Sequence, residues 1–230
     1  MPTIVFASPK GGAGKSTSAI LLSTELAAHG ATVTLIDADP NRPLSNWAKR
    51  PNKPATLTVL ADVTEDTIID AIEDAATQSS FVVIDLEGTA SMMVGYAVSR
   101  ADLVLIPTQG SQLDAAEAVK AIRLIKRQEK AFSRRIPFAV LFTRTSAAIR
   151  PRTLKNIENE FAENKIPVLV TQIHERDAYK AMIDFGGGIA TLDPTQVTNL
   201  KAAAANARAF TAEVITVLKS QSACQTEEVA

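Results

Sequence analysis

The chain has little of what several common chemistries require. It holds a single cysteine, Cys224, in a polar stretch, which excludes a disulfide framework, a thiolate metal site and an iron–sulfur centre built on paired cysteines. Its two histidines, His29 and His174, stand apart in the sequence and read as surface or capping residues rather than catalysts. Aromatic residues make up 5% of the chain, too few to build stacking platforms for single-stranded nucleic acid. No stretch reaches about 18 uninterrupted apolar residues and no leader-like segment opens the chain, so neither a membrane span nor a secretion signal is expected. A cytosolic, reducing compartment is the expectation.

What is present is a globular composition. With 46% hydrophobic residues in 230, the chain can bury one sizeable core. Short apolar runs alternate with longer helical patterns, predicting strands near 3–7, 32–36, 56–60, 81–85, 103–106, 137–143 and 168–173. Helices are predicted near 15–29, 64–77, 90–99, 112–131, 150–164, 177–183 and 196–219. Runs 81–85 and 103–106 are almost wholly apolar, as strands covered on both faces must be. The reading is an α/β fold, a mostly parallel twisted sheet of about seven strands with helices on both faces. It forms a single domain over 1–219, with 220–230 expected to be a disordered tail. Because the first strand begins at about residue 3, no N-terminal helix-turn-helix is expected.

Directly after the apolar run Thr3-Ile4-Val5-Phe6-Ala7 comes Ser8-Pro9-Lys10-Gly11-Gly12-Ala13-Gly14-Lys15-Ser16-Thr17. A strand, a Gly-rich turn ending in Gly-Lys-Ser and then a helix make a phosphate cradle. The glycines let successive N–H groups point inward, and the helix N-terminus adds partial positive charge. Lys15 is placed to bridge β- and γ-phosphates and the Ser16 hydroxyl to ligate magnesium. The strict motif has glycine where this chain has Pro9, and a second lysine, Lys10, stands at the front of the loop. Asp85 ends an apolar strand, where it can hold magnesium through water; Asp37 and Asp39 lie two apart at another strand end and so point the same way. All of these fall at carboxyl ends of strands, where open α/β sheets bind ligands.

Lys10-Gly11-Gly12-Ala13-Gly14-Lys15-Ser16-Thr17 resembles the deviant Walker A motif of the ParA/MinD family of P-loop ATPases. Thr32 to Pro40 resembles the family's second strand and Asp-x-Asp-Pro loop, Phe81 to Asp85 its Walker B strand, and Leu103 to Thr108 with Leu113-Asp114 the next strand and helix entry. Asp37 to Leu44 with Trp47, and His174 to Tyr179 with Ala181-Met182, are similar to the ParA-like overdrive-binding branch of T-DNA transfer. The resemblance implies ATP and Mg2+ as cofactors, with Gly11, Gly12, Ala13, Gly14, Lys15, Ser16 and Thr17 on the phosphates and Ser16, Asp37, Asp39 and Asp85 around magnesium. It implies that Asp39 orients the attacking water, and that Lys10 reaches across a homodimer to the partner's nucleotide. It also implies that Arg144 and the loop at Asp193-Pro194 contact adenine; no Asn-Lys-x-Asp guanine reader occurs. Leu86-Glu87-Gly88-Thr89 departs from the family's usual Asp-x-Pro-Pro-like switch.

The net charge of −1 conceals an uneven distribution. Residues 1–119 carry a net −7, 120–176 a net +8 and 177–230 a net −2, so a basic middle segment stands in an otherwise acidic chain. Lys120, Arg123, Arg127 and Lys130 recur at helical spacing, and Arg150, Arg152, Lys155 and Arg176 add to them. These eight are the expected contacts to double-stranded DNA, made to phosphates and therefore weakly sequence-selective. With the resemblance, the expected function is a slow, partner-stimulated, dimerising ATPase that binds DNA non-specifically in its ATP state and segregates a plasmid or similar replicon on the nucleoid. A ParB-like centromere-binding protein is the expected partner. The alternatives are recruitment of DNA and relaxase to a conjugative or T-DNA transfer apparatus, a MinD-like positioning ATPase, and a metabolic ATP-dependent enzyme. A membrane role is not expected, because the last helix carries little basic charge and Thr226-Glu227-Glu228 is acidic.

Overall fold

A computed structural model describes residues 1–88 and 91–227. Its strands are β1 (Thr3–Phe6), β2 (Val33–Ala38), β3 (Leu57–Leu60), β4 (Phe81–Leu86), β5 (Leu103–Thr108), β6 (Phe138–Thr145) and β7 (Ile173–His174). They form one sheet in the order β3-β2-β4-β1-β5-β6-β7, and every neighbouring pair is parallel. Parallel strands need crossovers, and helices supply them: α1 (Lys15–Ala28), α2 (Pro43–Ala48), α3 (Ile68–Gln78), α4 (Met92–Ser99), α5 (Gln112–Phe132) and α6 (Arg152–Glu163); α7 (Asp177–Phe185) and α8 (Leu200–Glu227) follow the last strand.

The alternation of each strand divides the core into two layers. Ile4 and Phe6 of β1 pack with α1, α2, α7 and α8 on one face; Val5 and Ala7 pack with α3, α4, α5 and α6 on the other. Both faces are covered, which is why β1, β2 and β5 are buried along their whole length. Pro107 is tolerated inside β5 because β1 stops pairing at Leu105, so no partner on that side needs its missing N–H.

Three boundaries differ from expectation. Residues 168–173 are not one strand: Val168 makes an isolated bridge to Val140, and the Val170 and Thr171 amides donate instead to Glu213 at 2.6 and 2.7 Å. A short helix, α2, follows the Asp-x-Asp-Pro loop where none is predicted. The segment expected to fray from Ser220 is helical to Glu227, and the remaining residues of that tail, 228–230, lie outside the described residues, as do Thr89 and Ala90. Among the described residues no helix is long and apolar enough to cross a membrane.

Candidate nucleotide-binding site

The Gly-rich loop leaves the end of β1 at the middle of the sheet and enters α1. Gly12 and Gly14 take φ of 74° and 94°, values that only glycine adopts freely, and so turn the loop into a cradle. Its carbonyls are drawn outward: the Gln109 amide donates to Gly12 O at 3.0 Å and the Thr143 hydroxyl to Ala13 O at 2.7 Å. No side chain caps the start of α1, so its first-turn amides remain available to an anion. Lys15 is buried beneath them. The cradle opens into a cleft of about 390 Å3 lined by Gly11 to Thr17, Asp39, Asn41, Glu87, Gly88 and Arg144.

Pro9 and the variant loop after β4 meet here. A Cβ on Gly88 would sit 3.0 Å from the Pro9 carbonyl oxygen, a contact so tight that a larger residue at 88 would press on the Pro9 backbone. The two departures from the family pattern are thus neighbours.

Three carboxylates end adjacent strands around the cradle. Asp85 is fully buried, and neither of its oxygens finds a hydrogen-bond partner among the described residues. Burial pushes its carboxyl up to about 7, against the opposing pull of Ser16 and Lys15 and with the added push of Asp37 and Asp39. Asp37 uses one oxygen to hold α2, accepting from Ser45 N and Oγ at 2.7 Å each; its other oxygen is buried and has no partner among the described residues. Its carboxyl is raised by burial, partly offset by those Ser45 bonds. Asp39 lies at the cleft, where one oxygen accepts from Asn41 N and Nδ2 at 2.8 and 2.9 Å. Orphaned acidic oxygens beside a serine hydroxyl fit a hard divalent cation. Among the described residues no three His, Cys, Asp or Glu side chains come together as a metal cage of their own.

Lys10 does not point into empty space. Its ammonium bonds the carboxylate of Asp114, a buried residue in the first turn of α5 that the Ser111 hydroxyl also reaches. Asp114 pays a burial penalty, yet its bonds to Lys10 and Ser111 outweigh that penalty and hold its carboxyl below the ordinary range. In the sequence Asp114 marks only the entry to a helix, because a partner 104 residues away leaves no local signal of the pair.

A second cleft of about 320 Å3 adjoins the first across Gly14 and Thr17. Arg144 belongs to both: it sits at the register shift between β6 and β7 with φ of 52°, a bulge that turns its side chain to the site. The wall of this second cleft includes His174, Glu175, Arg176 and Tyr179 from the end of β7 and the start of α7, with Lys180, Ile183 and Asp184 further along α7. Asp193 and Pro194 do not line it, since the Asp193 carboxylate closes its own turn onto Thr195 N and Oγ1.

Of the eight basic residues expected on DNA, Lys120, Arg123, Arg127 and Lys130 form an exposed stripe along α5, and Arg152 and Lys155 are exposed on α6 in the same layer. Lys120 pairs with Glu117 at 2.6 Å and Arg150 with Glu158, leaving Arg123, Arg127, Lys130, Arg152 and Lys155 free of ion pairs among the described residues. Arg176 stands in the opposite layer, at the second cleft.

A parallel sheet carrying this loop at its centre, with acidic strand ends beside it, defines a P-loop nucleotide-binding protein of the α/β class. The VirC1 protein family model matches residues 1–222. The chain is 44% identical to Protein ParA of Rhizobium radiobacter over 210 residues, 91% of this chain and 94% of that one. It is 32% identical to Protein virC1 of Rhizobium rhizogenes over 191 residues, 81% and 82% of the two chains. Among solved structures, the Cyanothece McdA(D38A)–ATP complex superposes with a TM-score of 0.73 at 17% identity, covering 91% of this chain and 96% of that one. The chain belongs to the VirC1 family of ParA-type proteins.

Proposed function

We propose that this protein is a Mg·ATP-dependent dimerising switch that binds DNA in its ATP state and releases it on hydrolysis. The observation that carries the reading is the pairing of an uncapped, Lys15-bearing phosphate cradle with Asp85 and Asp37 oxygens that have no partner among the described residues, beside a second lysine held on Asp114. The amides of residues 11–17 and Lys15 would hold the triphosphate, and Ser16 and Asp39, which line the cleft, would with Asp37 and Asp85 hold magnesium through its waters. Magnesium neutralises charge on the β- and γ-phosphates when bound. Asp39 positions water in line with the γ-phosphate; positioning suffices, since loose phosphoryl transfer needs no strong base.

Lys10 supplies the switch. Leaving Asp114, it extends to the partner's γ-phosphate and turns repulsion between two anionic nucleotide faces into attraction, as an arginine finger does. Dimerisation doubles the α5–α6 basic surface, so phosphate-backbone affinity rises only in the ATP state. Turnover is slow until a ParB-like protein bound to a centromere-like site completes the switch, and the cycle moves a plasmid or similar replicon over the nucleoid. The match over residues 1–222 to the VirC1 family favours a second reading, in which the same cycle delivers DNA and relaxase to a transfer apparatus. Purified protein tests the shared core: ATP hydrolysis that rises with added double-stranded DNA and vanishes in Lys15→Ala is expected. Hydrolysis equal in wild type and Lys15→Ala refutes it.

A further inference from the structure

Arg176 counted with the basic surface by sequence, and the fold moves it. It precedes α7, whose Ala178, Tyr179 and Met182 pack with α1 and α8 on the face of the sheet away from α5 and α6. Its surroundings are hostile to a polyanion. Glu175 and Asp177 flank it, Asp184 is nearby on the same cleft, and Lys180 is drawn to Glu175 at 3.3 Å and Asp177 at 3.7 Å.

The side chain turns inward instead. Arg176 lines the 320 Å3 cleft that continues from the phosphate cradle, and its Nε is buried without a hydrogen-bond partner among the described residues. A buried donor left unpaired costs free energy, and native structures rarely retain one unless a ligand or water satisfies it. The guanidinium lies beside the Tyr179 hydroxyl. Tyr179 is fixed in turn, its hydroxyl bonding Ala203 O at 3.1 Å and Asn206 Oδ1 at 3.0 Å, while Asn206 Nδ2 donates to Gln172 O at 2.8 Å. Burial of Tyr179 pushes its phenol up to about 12, so it stays a neutral partner at every physiological pH. His174 is held below its ordinary value first by burial and then by the Arg176 charge, so beside it the guanidinium is the charged group, with Arg144 on the same cleft and Lys180 drawn off to Glu175 and Asp177. A planar, always-charged group on a rigid support, one step from the phosphate site, presents a face on which a heterocyclic base stacks and donors that reach ring nitrogens or ribose hydroxyls.

We infer that Arg176 is a nucleoside-recognition residue: it forms the wall of the cleft beside the phosphate loop and contacts the purine nucleoside portion of bound ATP, rather than DNA. This rests on the nucleotide reading above. The test compares wild type, Arg176→Ala and Arg176→Lys, each first checked for an unchanged melting temperature. Calorimetric titrations use Mg·ATP and Mg·tripolyphosphate, and DNA retention is measured at saturating nucleotide. A loss of about tenfold or more in ATP affinity in Arg176→Ala, partial recovery in Arg176→Lys, unchanged tripolyphosphate binding and wild-type DNA retention are expected. Unchanged ATP affinity, an equal loss for ATP and tripolyphosphate, a lowered melting temperature in both variants, or DNA retention lost at saturating nucleotide would each overturn the inference. Wild type that binds neither ligand overturns the nucleotide reading itself, and is distinguishable because it appears before any substitution is made.

Discussion

Lys10 and Asp85 carry the residue-scale consequences. Because the Lys10 ammonium rests on Asp114 of its own chain, reaching a partner's phosphate requires that bond to break. Asp114→Asn weakens the tether without removing the side chain, at a cost to the α5 cap of about 1 kcal/mol or less. It is expected to dimerise at lower concentrations of a non-hydrolysable analogue than wild type in analytical ultracentrifugation; an unchanged midpoint argues against a tether. Asp85 makes a pH prediction for the protein free of nucleotide and metal. Its folded-state carboxyl is raised from 3.8 to about 7, so between those values the folded chain holds a proton that the unfolded chain has released. Stability therefore falls as pH rises through that window, by on the order of a few kcal/mol. Asp85→Asn is expected to match wild type near pH 4 and to melt higher at pH 8, and parallel melting profiles would contradict it. These roles were unequally legible in the sequence. The spacing Gly14-Lys15-Ser16 announces its chemistry because a phosphate cradle demands those residue types in that order. Arg176 and Asp114 do not announce theirs, because which layer a residue joins and which distant group it meets are properties of the folded chain.

Among the elements, α2 and α5 matter most. The six-residue α2 is not legible in the sequence because Pro43 opens it and under two turns are too few to show a helical repeat of apolar residues. It nonetheless positions a candidate site residue: Ser45 holds one Asp37 oxygen, and the other has no partner among the described residues and would face the proposed cation. Its anchor is Trp47, 1% exposed, with Nε1 donating to Gly187 O at 3.2 Å. Trp47→Ala is expected to cost about 3–5 kcal/mol and to weaken Mg·ATP binding more than metal-free ATP binding. Equal losses by titration calorimetry would separate α2 from the cation site. On α5 the periodic stripe was legible, because side chains three and four apart share a helix face. Its pairing was not: Lys120 and Arg150 have acidic partners, so the DNA expectation concentrates on Arg123 and Arg127. Arg123→Glu with Arg127→Glu is expected to abolish ATP-dependent DNA retention at 0.15 M salt while leaving basal hydrolysis unchanged. Retention equal to wild type contradicts that assignment. The failed strand at 168–173 has the same kind of cause, since Glu213 of α8 captures the amides a β-ladder would need.

For the whole molecule, the sheet order brings every acidic strand end and the Gly-rich loop to one edge, while α5 and α6 carry basic charge on one flank. Alternating strands and helices made that architecture readable, and all seven strand positions follow the βαβ pattern apart from the last. What ties the site to the flank is assembly. On the proposed function, a twofold dimer closed over nucleotide would face its lysines across the phosphates and present two basic flanks together, so that nucleotide state, self-association and DNA affinity would change as one. The most direct measurement is the molar mass in solution by light scattering, with magnesium and a non-hydrolysable ATP analogue. Wild type should shift from monomer to dimer, and Lys10→Ala should remain monomeric while still binding the analogue. A wild type that stays monomeric, or a Lys10→Ala variant that dimerises equally well, contradicts the account.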